Sequence, residues 1–276
     1  MADARFTRDA RGPATIGLRI FAIAYLFFLV AWPVSLVVSN TFAHGFEAIE
    51  TLISDLDIVA ALRLTAIAAV VATIINTVFG VAASLLLVRT EFPGKRAFSA
   101  LLDLPLSVSP VVVGLALVLV YGGRNGWAGP WLEAHGLQVI FATPGIILAT
   151  AFVSLPLVIR EVVPVLREIG TEQEQAAQSL GASGWQTFWL ITLPGIRWAV
   201  VYGVVLTVAR SLGEFGAVKV VSGNILGETR TATLAVEEKY LNFDPQGAYA
   251  IAFLLASVSV LSILVVAVLR SRSTQV

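Results

Sequence analysis

The chain contains no cysteine and two histidines, His44 and His135, among its 276 residues. Without thiols it can form no disulfide, no thiolate metal site and no thiol nucleophile. The two histidines fall in expected loops far apart in sequence, so neither a cofactor nor a metal centre is expected in this chain. Charge is scarce as well. Asp, Glu, Lys and Arg make up 13% of the residues, against about 25% in an average soluble domain. That is too little to cover a water-facing surface. The 18 basic and 18 acidic residues cancel, so no field of one sign points to nucleic acid. No G-x-x-x-x-G-K-S/T phosphate loop occurs, so the chain is not expected to bind ATP by itself.

What is plentiful is apolar sequence: 57% of residues, with a mean hydropathy of +0.86. A spanning helix needs about 20 mainly apolar residues to cross a hydrocarbon core about 30 Å thick. Six segments qualify: Ile20–Val38, Leu64–Val88, Leu104–Tyr121, Val139–Ile159, Ala199–Val221 and Tyr249–Leu269. The first follows a basic stretch, as a signal peptide would. It is longer than the usual apolar core of a signal, about 7–15 residues, and no small-x-small cleavage site follows, so it is expected to be retained. The basic residues set an orientation. Arg5, Arg8, Arg11, Arg19, Arg89, Lys95, Arg96, Arg160, Arg167, Arg197, Arg270 and Arg272 share one side, against Arg124, Arg230 and Lys239 on the other. The positive-inside rule then predicts both termini in the cytoplasm. Trp127, Trp131 and Trp198 suit interface anchors, and Lys219 suits snorkelling.

Between the fourth and fifth spans lies the longest cytoplasmic connection, residues 160–197. It contains EQEQAAQSLGASGWQTFWLITLPG, Glu172 to Gly195. Its first half has helix formers with acidic residues at the start, where the helix dipole favours them. Gly181 suits a left-handed C-cap and Ser183 an N-cap. Pro194 suits a turn into the fifth span. The expected product is a helix–turn–helix elbow with small residues Ala176, Ala177, Gly181 and Ala182 on one face.

These residues resemble the cytoplasmic "EAA" loop of ABC-importer permeases, E-A-A-x3-G-x9-I-x-L-P. Ala176, Ala177, Gly181, Ile191, Leu193 and Pro194 match. Gln175 replaces the glutamate, and the neighbouring Glu174 falls on a different helix face. DLPLSVSPVVVGLALVLVYG (Asp103–Gly122), ARSLGEFGAVKVVSG (Ala209–Gly223), GETRTATLAVE (Gly227–Glu237) and GASGWQTFW (Gly181–Trp189) are similar to the sulfate/thiosulfate permease branch, closest to its second, W-type subunit. The resemblance covers roughly residues 62 to 269. It implies an all-α integral membrane protein with six transmembrane helices in the type I ABC importer (MetI-like) permease fold. Residues 1–60 would form a tail, first helix and outer loop, and residues 61–270 the core domain. It also implies a non-catalytic subunit of the bacterial inner membrane that works with a second permease, two cytoplasmic ATPases using ATP and Mg2+, and an extracytoplasmic binding protein. Gln175, Ala176, Ala177, Leu180, Gly181, Ala182, Ile191, Leu193 and Pro194 would couple to the ATPase. Molybdate/tungstate permeases share the Gly-Glu-Phe-Gly-Ala and Gly-Glu-Thr stretches and remain an alternative.

Polar groups at membrane depth default to functional candidates. Arg210 and Glu214, spaced i, i+4, are expected to share one face of the fifth span. They either line the substrate path or form an ion pair that fixes packing. Gly213 and Gly216 beside them favour close helix approach. Pro105, Ser107, Ser109 and Pro110 mark a break in the third span, suited to a path or hinge. Asn76, with Thr77, is a further path candidate, although a lone Asn also serves as interhelical glue. An intramembrane enzyme would need a catalytic group at depth, and the six segments hold no histidine and no aspartate pair.

Overall fold

The computed structural model describes residues 13–43 and 45–273. His44, Arg5, Arg8 and Arg11 lie outside the described residues. The helices in chain order are α1 (Thr15–Thr41), α2 (Glu47–Ser54), α3 (Leu56–Arg89), α4 (Lys95–Ser107), α5 (Pro110–Tyr121), α6 (Gly129–Ala134), α7 (Thr143–Glu168), α8 (Glu172–Ser179), α9 (Gly184–Leu212), α10 (Gly216–Val221), α11 (Ala232–Leu241) and α12 (Pro245–Ser273).

Helix α3 is the centre of the bundle. Asp55 starts it by accepting from the backbone N–H groups of Asp57 (3.0 Å) and Ile58 (3.4 Å). Its 34 residues give about 51 Å of helix at 1.5 Å per residue, longer than a hydrocarbon core. One stretch of it packs Leu64 and Ala68 with Val113, Ile146, Ala149 and Val218 from α5, α7 and α10. Further along, Val81 meets Val158, Val162 and Ile196 from α7 and α9. Glycine brings these helices together. A Cβ on Gly80 would lie 2.9 Å from Val158 Cβ, and one on Gly203 would lie 2.9 Å from Val158 Cα. Val158 of α7 is therefore clasped between α3 and α9 at backbone distance. In lipid such close packing is a main source of helix association, because apolar burial drives little of it.

Among the described residues, five helices are long and apolar enough to cross a membrane: α1, α3, α7, α9 and α12. Two contain a π-helical turn immediately before a proline. Trp32 N–H bonds to Phe27 O ahead of Pro33, and Leu193 N–H bonds to Phe188 O ahead of Pro194. Proline lacks a donor and its ring crowds the carbonyl four residues back. The wider i→i−5 turn relieves that crowding. Pro194 thus sits inside a continuous helix rather than in the expected turn.

Three expected spans differ. The third, Leu104–Tyr121, is not one helix: α4 and α5 meet at 114°, and the pair counts as a sixth span only if taken together. Pro110 imposes this break, since the residue before a proline is pushed to extended backbone, and Val108 and Ser109 both have ψ near +135°. The fourth begins at Thr143 rather than Val139 and continues to Glu168. The fifth, Ala199–Val221, breaks at residues 213–215. The polar connection is also shorter than the apolar pattern predicts. Amphipathic helix from α7 and α9 runs into it and leaves α8 and two short joints.

Candidate functional site

The elbow is closed by two interlocking caps. Ala182 N–H donates to Ala177 O (3.0 Å) and Gly181 N–H to Gln178 O (2.9 Å), with Gly181 at φ +91°. This is the Schellman arrangement that glycine makes without strain. Two residues on, Ser183 Oγ accepts from Gln186 N–H (3.3 Å) while Gln186 Oε1 accepts from Ser183 N–H (2.8 Å), a reciprocal capping box. Leu180, in the first cap just before Gly181, is 90% exposed, and Trp185 and Leu190 also project outward. Of the expected coupling residues, Gln175, Ala176, Gly181 and Pro194 are exposed, while Ala177, Ala182, Ile191 and Leu193 are half-buried. The motif residues therefore divide into an exposed set and a half-buried set, of which Leu193 packs on the Val158, Val162 and Ile196 cluster. Gln175 donates to Thr171 Oγ1 (3.0 Å), the residue at the N-cap of its own helix.

The charge in this loop belongs to Glu174. Its Oε2 lies 2.9 Å from Arg89 Nε, and its Oε1 accepts from Arg89 Nη2 (3.1 Å) and Thr192 Oγ1 (2.8 Å). Reading the sequence as a motif directs attention to position 175 and misses 174. The available signal was the acidic residue on the inward face.

At membrane depth the breaks in the third and fifth spans come together. A Cβ on Gly216 would lie 3.1 Å from Pro110 Cβ, and one on Gly114 would lie 2.8 Å from Ala217 O. Gly213 makes no such approach: its nearest neighbour is Arg210 O at 4.0 Å, within its own turn. Arg210 and Glu214 do pair, Nη1 to Oε2 at 2.8 Å, but not along one continuous helix. Glu214 stands in the joint between α9 and α10, where its Oε1 accepts from Ala217 N–H (3.0 Å) and its carbonyl from Thr233 Oγ1 (2.7 Å). The glutamate is 3% exposed and the arginine 39%. The pair thus has a buried, multiply bonded anion and an open cation. Ser107 and Ser109 flank the other break and are both exposed.

Asn76 is buried between helices. Its Nδ2 donates to Ala151 O and to Ser154 Oγ, both at 2.9 Å, and Ser211 Oγ reaches Ser154 Oγ at 3.4 Å. This polar seam ties α3, α7 and α9, with Asn76 buried inside it at 1% exposure. Its Oδ1 has no hydrogen-bond partner among the described residues. Lys219 does not snorkel alone: it pairs with Glu237 of α11 and lies 5.3 Å from the centre of the Phe215 ring. A cavity of about 510 Å³ opens under the loop before α7, at the far end of that helix from the elbow. It is lined by Tyr121, Glu133, Gln138 and Phe141 among others, and none of the path candidates faces it. Trp127, Trp131 and Trp198 are all exposed.

Comparison with known proteins agrees with this architecture. Residues 76–275 match the family described as binding-protein-dependent transport system inner membrane component. The sulfate transport system permease protein CysW of Synechococcus elongatus is 47% identical over 266 residues, 96% of this chain and 93% of that protein. The protein of the same name from Escherichia coli is 42% identical over 245 residues, 89% of this chain and 84% of that protein. Among solved structures, a bacterial alginate ABC transporter in complex with alginate pentasaccharide-bound periplasmic protein contains a chain that superposes with a TM-score of 0.75. That chain is 17% identical, with 91% of each chain covered. The chain described here belongs to the binding-protein-dependent transport system inner membrane component family and has the type I ABC importer permease fold. It is a membrane-embedded permease.

Proposed function

We propose that this chain is one transmembrane subunit of an ATP-driven importer for sulfate or thiosulfate. The observation that carries the substrate class is the identity of 42–47% to sulfate transport permeases over 89–96% of the chain. The chain pairs with a second permease, and its elbow docks on one of two cytoplasmic ATPases, which supply the ATP and Mg2+ chemistry. A binding protein delivers the anion on the opposite side of the inner membrane, and both termini face the cytoplasm. Residues 61–270 act as the transporting core. The exposed Leu180, held in the rigid first cap of the elbow, supports the docking assignment. Movement of the elbow would swing the spans between inward-open and outward-open states.

Arg210 fits the anion path on electrostatic grounds. An unpaired arginine at depth would trap a dianion. Paired with Glu214, it offers attraction without net charge, so the anion can leave in each cycle. Ser107 and Ser109, exposed at the neighbouring break, add hydroxyl donors. The test is uptake of radiolabelled sulfate in cells expressing this chain with its permease, ATPase and binding-protein partners, with unlabelled sulfate, thiosulfate or molybdate as competitor. Sulfate and thiosulfate should compete. No sulfate uptake, with uptake of labelled molybdate by the same cells, would reassign the substrate. Orientation is tested separately in this cysteine-free chain by single cysteines at Ser183 and Asn125. An impermeant reagent on intact cells should label the second and not the first.

A further inference from the structure

The joint between α7 and α8 is three residues long, and Gly170 within it has φ +65°. Left alone, such a joint is a hinge. Arg89, the last residue of α3, closes it from the side. Its Nη1 donates to Leu166 O (3.1 Å) and its Nη2 to Gly170 O (2.7 Å), on the α7 side. The same guanidinium holds Glu174 on the α8 side, and Glu174 in turn holds Thr192 in the π-helical turn of α9. Each element of this arrangement follows from local physics. The carbonyls that end α7 lack intrahelical donors and favour a cation. Glu174 sits in the first turn of α8, where the dipole favours an anion. The planar guanidinium meets both at once, which a lysine ammonium cannot do.

We propose that Arg89, Glu174 and Thr192 form a latch that makes the elbow move as one body with α3, so that force on the elbow reaches the membrane interior. This rests on the reading that the elbow docks an ATPase. Arg89 and Glu174 are each 15% exposed, unlike the Lys95–Glu91 pair nearby, whose glutamate is 90% exposed. Exposed pairs contribute little. The latch is shielded and closed by four hydrogen bonds, donated by Arg89 Nη1, Arg89 Nη2 and Thr192 Oγ1. Thirteen residues along α3, about 20 Å at 1.5 Å per residue, stands Asn76, the residue that bonds α7 and contacts the seam to α9. A push at Arg89 thus arrives where three spans are tied together. The latch residues are positioning residues: none touches the path.

The test uses the assembled importer in proteoliposomes and compares Thr192→Val, Glu174→Gln and Arg89→Lys with wild type. Thr192→Val removes one hydroxyl and leaves the Arg89–Glu174 pair in place, so it probes the latch without risk to folding. Three quantities are read: ATPase retained on purification, basal ATP hydrolysis, and the stimulation of hydrolysis and uptake by the binding protein. The ATPase should stay bound and basal hydrolysis persist in Thr192→Val and Glu174→Gln, while stimulation and uptake fall about fivefold or more, the scale of a typical coupling energy. Arg89→Lys should not restore stimulation despite its charge. Full stimulation in Thr192→Val and Glu174→Gln would overturn the latch. So would a loss of stimulation that only accompanies loss of the ATPase, since that is failed docking. A wild-type complex that retains no ATPase would remove the docking reading, and the latch with it, before any variant is compared.

Discussion

Replacing Arg210 with glutamine should damage this protein far more than replacing Glu214, although both changes break the same ion pair. The reason is the difference in their surroundings. Glu214 is 3% exposed, and its carboxylate has Ala217 N–H as its other donor. Removing the arginine leaves a buried carboxylate with one neutral donor, which costs about 3–5 kcal/mol. Arg210 is 39% exposed. In Glu214→Gln the guanidinium can turn to solvent, and the new amide oxygen can still accept from Ala217 N–H. The loss is then one charge-assisted bond at a partly solvated site, about 1 kcal/mol. A gap of about 2 kcal/mol or more corresponds to roughly thirtyfold in an equilibrium constant. The double variant should recover most of the loss, because it leaves no unpaired charge. The assay is the thermal melt of the detergent-solubilised complex followed by size-exclusion chromatography, with sulfate uptake in parallel. In uptake, Glu214→Gln should assemble but turn over poorly, since its open arginine retains the anion. Equal destabilisation by the two single variants, or a worse melt for Glu214→Gln, would refute the argument from burial.

Gly203→Ala should prevent normal packing of α9 on α7, because the added Cβ would lie 2.9 Å from Val158 Cα and backbone cannot yield; overpacking of this kind costs about 1–3 kcal/mol, read as a lowered melt and poor recovery of folded protein. Gly181→Leu should leave the spans intact, since a Cβ there meets nothing within 4 Å, yet strain the cap at φ +91° and place bulk on the open face. Membrane insertion should be normal while ATPase retention or uptake is lost, and normal values of both would contradict the assignment. Asp244 caps α12 by accepting from Gly247 N–H (3.0 Å). That bond, then Lys239 beside it, holds its carboxyl below the ordinary value. A lowered carboxylate stabilises above the unfolded value near 3.8 and loses that contribution as pH falls through its folded value. Asp244→Ala should therefore cost about 1 kcal/mol at neutral pH and flatten the acid limb of the melt; an unchanged acid limb would show the cap contributes nothing.

Much of this protein was legible without coordinates because membranes impose simple one-dimensional rules. A run such as Ile20–Val38 must be helical, since lipid offers the backbone no other partner. The elbow was legible for a different reason: Gly181 and Ser183 are local caps, and local geometry needs no knowledge of distant chain. Helix ends were less legible. The apolar pattern marks only the most hydrophobic stretch of a helix, whereas α7 runs on to Glu168 and α9 starts back at Gly184. The break at Pro110 was visible, but its 114° angle was not, because a proline states that a ladder is interrupted and not where the next segment packs.

What the sequence by itself determined is the medium, the class of fold, the number of apolar segments and the elbow motif, all of which depend on composition or on residues within one or two turns. Tertiary structure alone decided which residues meet. Glu174 rather than Gln175 carries the elbow's charge because Arg89, 85 positions earlier, ends α3 beside it. Gly80 and Gly203 matter because both face Val158, and nothing local distinguishes them from Gly213, which packs against nothing but its own turn. Glu214 is buried and Arg210 open because the fifth span breaks between them and sends the chain on to α10 against Pro110. Such pairings are settled by which surfaces can approach at backbone distance, a property of the whole bundle rather than of any segment within it.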